Sequence, residues 1–149
     1  MIQIVYASER GYTAAAAVLL QSVLKSSNIS STLSSIHETS ALRPEAPLLY
    51  LTSTFFDGQH PSLARKSFEV LRGNYALRSQ MRGLQFAVFG VGNSAFTWFC
   101  RAADMARDEF VGYGAEEILA VQRFDRKGVD DLERALRWFC EQVLAALGW

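Results

Sequence analysis

The chain has 149 residues, half of them hydrophobic and 12% aromatic, and its 15 basic and 15 acidic residues balance to zero formal charge. This length and composition predict one compact domain over residues 1–149 with a sizeable core, and argue against a second domain. Because there is no block of like charges, secretory leader or membrane-length apolar run, we expect neither a nucleic-acid nor a membrane partner and a cytoplasmic location.

The first informative stretch joins a strand to a helix through a short loop. Residues 2–6 form an apolar, β-branched run typical of a strand buried on both faces, and residues 13–25 predict a helix. Between them Gly11 permits a tight turn, and the hydroxyls of Ser8 and Thr13 flank it. Free N–H groups and the positive end of the helix dipole would meet there, which favours an anionic ligand. The same residue types also occur in ordinary turns.

The second and third predicted strands lie on either side of a polar loop. The serine-rich residues 30–36 indicate an edge strand, and residues 37–47 a loop with His37 on the surface. Residues 48–51 are fully apolar and indicate a central parallel strand, which runs into a loop over residues 52–61. Pro61 suits the first turn of a helix that extends to residue 73.

The second half of the chain repeats this alternation. Residues 73–83 are expected to form a solvated connector, and residues 84–89 a fourth strand that leads into residues 90–100. A helix to about residue 111, a fifth strand over residues 117–122 and a last helix with an apolar stripe from Val129 to Leu147 complete the pattern. The two cysteines, Cys100 and Cys140, have no metal-type spacing and are expected to be reduced core thiols, so no metal site is predicted.

Five alternations of strand and helix predict a three-layer α/β/α sandwich with a five-stranded parallel sheet, and the order 2-1-3-4-5 would bring the loops after strands 1, 3 and 4 together in one crevice. Two of these loops carry aromatic residues where folding alone prefers polar ones. Phe55 and Phe96 would suit the two faces of a flat ligand. For Phe99, packing at the top of the core is a better explanation than contact with a ligand. Ionisable side chains of both signs are expected around this crevice: Glu9, Arg10, Asp57, His60, Arg123 and Asp125.

The motifs in these three loops resemble the flavodoxin family, and the likeness runs over nearly the whole chain. The spacing of residues 4–20 is similar to the family's phosphate loop. The segments Thr-Ser-Thr-Phe-Phe-Asp-Gly at residues 52–58 and Phe-Gly-Val-Gly-Asn-Ser-Ala-Phe at residues 89–96 look like the FMN loops of diflavin reductases such as cytochrome P450 reductase and the sulfite reductase flavoprotein. The resemblance implies a flavodoxin-like fold.

By the same resemblance the chain would bind one FMN noncovalently and carry single electrons. An NAD(P)H-dependent flavoprotein reductase would be the donor and another protein the acceptor, and no side chain would act as acid, base or nucleophile. The flavin ring would lie between Phe55 and Phe96. The residues so assigned to the cofactor are Ser8, Glu9, Arg10, Gly11, Tyr12, Thr13, Thr54, Phe55, Phe56, Asp57, Gly58, Gly90, Gly92, Asn93, Phe96, Phe99 and Asp125.

Two positions depart from the family pattern. Arg10 replaces the second hydroxyl of the phosphate loop, and Phe56 stands where the family has a glycine that lets a peptide turn towards the reduced flavin. The chain is also neutral, whereas many flavodoxins are strongly acidic, so the usual attraction to a basic redox partner does not carry over.

Other functions fit the sequence less well. Two alternatives to an electron carrier fit the sequence. One is an FMN-dependent oxidoreductase that itself oxidises NAD(P)H and reduces a quinone-like substrate. The other is a flavin-free binding module of the same fold. Residues 90–95 match the dinucleotide fingerprint G-x-G-x-x-A, but they follow the fourth strand rather than the first. The end of the third strand lacks the acidic residue that a response-regulator receiver needs. Neither His37 nor His60 has a partner motif for hydrolysis.

Overall fold

The computed structural model describes residues 1–38, 42–55, 58–128 and 131–149. Strands and helices alternate along these residues. The strands are β1 (Ile2–Ala7), β2 (Ser31–Ser35), β3 (Leu48–Ser53), β4 (Gln85–Gly92), β5 (Glu116–Glu117) and β6 (Gln122–Asp125). The helices are α1 (Tyr12–Ser26), α2 (Ser62–Gly73), α3 (Tyr75–Ser79), α4 (Arg101–Gly112) and α5 (Leu132–Leu147), and residues Ile36–Glu38 form one 3-10 turn.

All strand pairs in the sheet are parallel, and the strand order is β2-β1-β3-β4-β5, with β6 also paired to β4. This confirms the predicted α/β fold and the order 2-1-3-4-5. The fifth position of the sheet differs in detail from the prediction of one strand over residues 117–122. It consists of the two short strands β5 and β6, because Ile118 still donates its N–H to the carbonyl of Phe86 at 2.9 Å but residues 119–121 lie in neither strand.

Both faces of the sheet are buried, which explains the continuous apolar runs of the central strands. Ile4, Leu49 and Phe89 face one core together with α1 and α5. The neighbouring residues on the same strands face a second core, which Phe68 of α2 and Phe110 of α4 fill. A parallel sheet covered on both sides leaves its strand ends as the places where loops can form a site.

Two boundaries differ from the sequence prediction. Within the expected solvated connector, Tyr75–Ser79 forms the short helix α3, because the side chain of Asn74 accepts a hydrogen bond from the backbone N–H of Leu77 and caps it. Strand β4 also runs three residues beyond its expected end and takes in Gly90 and Gly92. These glycines therefore belong to the sheet rather than to a free loop.

The remaining expectations for the core agree with the structure. Helix α1 buries Ala17, Leu20 and Leu24, and the apolar stripe of α5 buries Leu136, Phe139 and Val143. Val129, which the prediction included in that stripe, lies outside the described residues. Cys100 and Cys140 are both buried free thiols. Among the described residues, no helix has the length and the hydropathy needed to cross a bilayer.

Candidate functional site

A cavity of about 430 Å³ opens at the carboxyl ends of β1, β3 and β4, where the three predicted loops meet. Its size lies in the range of small-molecule and cofactor sites. The described residues that line it are Ser8, Glu9, Arg10, Tyr12, Thr13, Ser53, Thr54, Phe55, Val91, Gly92, Asn93, Phe96, Trp98, Phe99, Cys100 and Arg126. Most of the predicted site residues are thus brought to one cavity.

The loop between β1 and α1 has the geometry of an anion-binding turn. Gly11 has φ +90°, a conformation that favours glycine, and its N–H donates to the Ser8 hydroxyl at 2.9 Å. The turn leads directly into α1, whose first N–H groups have no partner within the helix. Thr13 lies in this first turn and lines the cavity, and its buried hydroxyl has no hydrogen-bond partner among the described residues. An unsatisfied buried hydroxyl beside free N–H groups suits an anionic oxygen.

Glu9 connects this turn to helix α2 rather than standing free at the cavity. Its two carboxylate oxygens accept hydrogen bonds from the backbone N–H and the hydroxyl of Ser62, each at 2.9 Å. Helix α2 has no acidic residue in its first turn and no side-chain cap from Pro61. Glu9 therefore supplies both the cap and the negative charge that the N-terminus of α2 lacks.

We expect Glu9→Ala to lower the free energy of unfolding by about 1 kcal/mol, the usual value of an N-terminal cap. The loss should depend on Ser62, so Glu9→Ala in a Ser62→Ala background should cost clearly less than in the native chain. Denaturant unfolding of the four proteins measures this coupling. Glu141→Ala, which changes an exposed glutamate on α5, is the control and should leave stability nearly unchanged. Additive losses at residues 9 and 62 would contradict the prediction.

The loop after β3 is closed by its own backbone. The N–H of Phe55 donates to the carbonyl of Gln59 at 2.8 Å, and the N–H of Gly58 donates to the carbonyl of Phe55 at 2.9 Å. The Phe55 ring lines the cavity, and the Arg65 guanidinium lies over this ring, 5.0 Å from its centre. The Thr54 hydroxyl accepts from the backbone N–H of Ala102 and so caps α4. Phe56 and Asp57, two of the predicted site residues, lie outside the described residues.

The loop after β4 presents aromatic side chains to the cavity. Phe96 is 63% exposed and Trp98 49% exposed, and both line the cavity. The Arg101 guanidinium lies 5.0 Å from the centre of the Trp98 ring. The amide oxygen of Asn93 accepts from the backbone N–H of Ala95 at 2.9 Å, which holds the loop in a tight turn. Two large exposed aromatic rings at one cavity provide the surface that a planar ligand can stack on.

The two glycines of β4 allow side chains to pack closely against the strand. A Cβ atom at Gly92 would lie 2.9 Å from the Phe99 ring and 3.0 Å from the Cys100 sulfur. Phe99 therefore packs on the end of the strand, as predicted, while it also lines the cavity. Gly90 pairs in register with Thr52 and with Arg123, so its backbone belongs to the sheet. Gly58 and Gly90 do not line the cavity in the described part of the chain.

The loop after β6 holds the loop after β4 in place. The Asp125 carboxylate accepts from the backbone N–H groups of Ser94 and Lys127, each at 3.0 Å, and it is not among the described lining residues. The hydrogen bonds from Ser94 lower the pKa of this carboxyl group. The residue that reaches the cavity from this loop is Arg126, whose guanidinium carbon lies 3.8 Å from the centre of the Tyr12 ring.

Two of the charged side chains expected around the crevice are used elsewhere. His60 is 2% exposed and stacks on Phe68 at a centroid distance of 4.3 Å, and burial lowers its pKa to about 4. Arg123 pairs with Asp104 of α4 at 2.9 Å. These contacts remove both residues from the cavity.

Sequence reasoning missed five of the described residues that line the cavity: Ser53, Val91, Trp98, Cys100 and Arg126. Trp98 carried a signal, because it is a third aromatic in a loop that was already assigned to a planar ligand. Arg126 follows Asp125 directly, but nothing in the sequence indicated which of the two side chains turns inward. Cys100 is buried, and burial raises the pKa of its thiol to about 12, so it is a neutral thiol near pH 7.

The described lining of the cavity contains no histidine, and its carboxylate, on Glu9, is bound to Ser62. Within the described ranges, no cluster of three or more His, Cys, Asp and Glu residues could hold a metal ion. The described lining contains hydroxyls, an amide, aromatic rings and two arginines, with Glu9 as its one carboxylate. This set can bind an anion and stack on a planar ring.

Comparisons with known proteins agree with this geometry. The family model for flavodoxin matches residues 4–139. A MioC homolog from Pasteurella multocida is 30% identical over 66% of this chain and 65% of its own length. The sulfite reductase [NADPH] flavoprotein alpha-component of Mannheimia succiniciproducens is 28% identical over 97% of this chain but only 24% of its own length. The solved structure of a Fusobacterium nucleatum flavodoxin mutant bound to flavin mononucleotide is 15% identical, covers 97% of this chain and 95% of its own, and superimposes with a TM-score of 0.80.

Proposed function

The chain belongs to the flavodoxin family, and on this basis we propose that it holds one FMN noncovalently in the cavity and passes single electrons between a reductase and an acceptor protein. We do not assign the full activity of the longer sulfite reductase flavoprotein to this chain, because the chain matches only 24% of that protein's length.

The observation that carries the proposal is the buried Thr13 hydroxyl at the turn over residues 8–13. It is 1% exposed and finds no partner in the part of the chain that the structure describes, although buried hydroxyls are nearly always hydrogen-bonded. It lies at the N-terminus of α1, beside the left-handed turn at Gly11. A phosphate oxygen supplies the missing acceptor and matches the helix dipole. The residues present therefore fit the phosphate end of FMN.

The remaining lining residues would bind the ring and keep water from it. Phe55 and Phe96 line the cavity from two different loops, those after β3 and β4, and Trp98 lines it as well. The arginines stacked on Phe55 and Trp98 limit the motion of these rings, so less order is lost when a ligand binds. FMN itself supplies the chemistry, because its ring accepts and releases electrons one at a time. The protein's part is to bind, orient and shield it.

Redox partner proteins follow from the family membership, and we propose an NAD(P)H-dependent flavoprotein reductase as the donor. The name of the Mannheimia relative states that it uses NADPH, and that relative contains the matched segment together with further sequence. The exposed rings of Phe96 and Trp98 at the cavity offer a short route between bound FMN and a docked partner. The acceptor would bind at the same rim.

Titration of the protein with FMN tests the proposal. We expect quenching of FMN fluorescence that saturates at one FMN per chain, and affinity for riboflavin at least about tenfold weaker, since riboflavin lacks the phosphate. A preparation that already carries yellow flavin should give the same result once its flavin is removed.

Two outcomes would contradict the proposal. If neither flavin binds, the chain is a flavin-free member of the fold. If the FMN-loaded protein consumes NADPH steadily without a partner and reduces a quinone, it is an oxidoreductase in its own right. We expect no such consumption, because in the proposed function a separate reductase protein supplies the electrons.

A further inference from the structure

Arg126 lies at the edge of the cavity, against the ring of Tyr12. Its guanidinium carbon is 3.8 Å from the ring centre, and its backbone N–H donates to the carbonyl of Gly92 at 2.8 Å. Tyr12 is the first residue of α1 and follows Gly11 directly. The last loop of the sheet thus places a cation beside the turn over residues 8–13, which lies more than 110 residues earlier in the chain.

The positive charges at this turn lack carboxylate partners. Arg10 and Arg126 both line the cavity, and within the described part of the chain neither forms an ion pair. Glu9 lies between Ser8 and Arg10, but both of its oxygens bind Ser62. Arg72, Arg107, Arg123 and Arg137, by contrast, each pair with a carboxylate. Two guanidinium groups therefore stand near the turn without a counter-charge from the described residues, which favours a ligand with more than one negative charge.

We propose that Arg126 is a specificity-determining residue of this site, which donates to the phosphate group held at residues 8–13 and makes affinity depend on that group. A guanidinium offers N–H groups in a planar fork that matches two phosphate oxygens. The contact with the Tyr12 ring restricts the position of this fork, so less side-chain freedom is lost on binding. The inference rests on the proposed function, since it takes the phosphate to be that of FMN.

The departure at Arg10 strengthens this inference. In the family pattern that position supplies a second short hydroxyl donor, and here the side chain is a long exposed arginine. The turn therefore keeps the hydroxyls of Ser8 and Thr13, and the Ser8 hydroxyl already accepts from Gly11. A second arginine from the last loop compensates for the lost donor with a charge-assisted one.

The test compares Arg126→Gln with the native protein by titration with FMN and with riboflavin. We expect the dissociation constant of FMN to rise roughly tenfold or more, and that of riboflavin to change by less than about twofold. The salt dependence of FMN binding should also weaken in the variant. Arg126→Lys should restore part of the affinity. Lys127→Gln removes the neighbouring exposed charge and should leave both constants unchanged, as the matched control.

In a third titration, inorganic phosphate is added to the protein and binding is measured as a rise in Tm. This titration tests the role of Arg126 without FMN. Phosphate should stabilise the native protein but stabilise Arg126→Gln less. Equal losses of FMN and riboflavin affinity in Arg126→Gln would overturn the inference, because the arginine would then act on the ring. Unchanged affinity for FMN would also overturn it. If no flavin binds but phosphate still stabilises through Arg126, the proposed function fails while the anion site remains; if phosphate has no effect either, both fail.

Discussion

Replacing Thr13 by valine is expected to stabilise the ligand-free protein and to weaken FMN binding at the same time. The buried Thr13 hydroxyl has no partner within the described ranges of the ligand-free chain, and such a group costs about 1–3 kcal/mol. Valine has nearly the same shape and removes that cost, so the free energy of unfolding should rise by about 1 kcal/mol or more. FMN should lose a charge-assisted hydrogen bond to its phosphate, and its affinity should fall roughly ten- to a hundredfold.

Thermal or denaturant unfolding without ligand and FMN titration measure the two effects. Thr13→Ser keeps the hydroxyl and should retain most of the affinity, although it leaves a small cavity. Thr32→Val, on the exposed side of the edge strand β2, controls for the general effect of replacing threonine by valine. Riboflavin affinity should change little in all three variants. If Thr13→Val destabilises the ligand-free protein and binds FMN normally, the hydroxyl has a structural role and no ligand.

The second large effect is a loss of stability in acid that depends on His60. Its ring is 2% exposed and stacks on Phe68, and no described residue forms a hydrogen bond with either ring nitrogen. Burial, the main cause, lowers its pKa from 6.5 to about 4, while Glu109 acts in the opposite direction and Arg72 and Arg65 add to the decrease. The unfolded chain therefore binds a proton near pH 6.5 that the folded chain takes up only near pH 4.

Stability from this group is fully present above about pH 6.5 and decreases as the pH falls towards the folded pKa. Between about pH 7 and pH 4.5, the free energy of unfolding should fall by about 2–3 kcal/mol through His60 alone. Carboxyl groups contribute as well at the lower pH, so the measurement compares the native chain with His60→Phe and His60→Leu at both pH values. Both variants should lose less stability on acidification. Equal losses in all three proteins would contradict the prediction.

The fold could be predicted because the sequence repeats one pattern with few exceptions. The residues of β1 and β3 are apolar on both faces, and the stripe of α5 recurs every three or four residues. Boundaries were predicted less well where weak local signals compete with tertiary contacts. Helix α3 depends on a single cap at Asn74, and the fifth position of the sheet is interrupted because residues 119–121 lie in neither short strand.

The site could be predicted only as far as its loops. That the three loops meet follows from strand order, and the cavity confirms their convergence. The roles of single side chains within a loop depend on partners that are distant in the sequence. Glu9 is bound to Ser62 and Asp125 to Ser94, while Arg126 reaches Tyr12. His60 is buried against Phe68 of α2, a contact that no local pattern indicates.

The hydrogen bonds that tie the loops to one another have a consequence for the kinetics of cofactor capture. The carboxylate of Glu9, the hydroxyl of Thr54 and the carboxylate of Asp125 each fix a neighbouring segment. These described parts of the cavity rim therefore take up their final positions when the chain folds, and ligand binding does not have to order them. FMN should enter in a single bimolecular phase whose observed rate rises linearly with its concentration, with no slow rearrangement behind it.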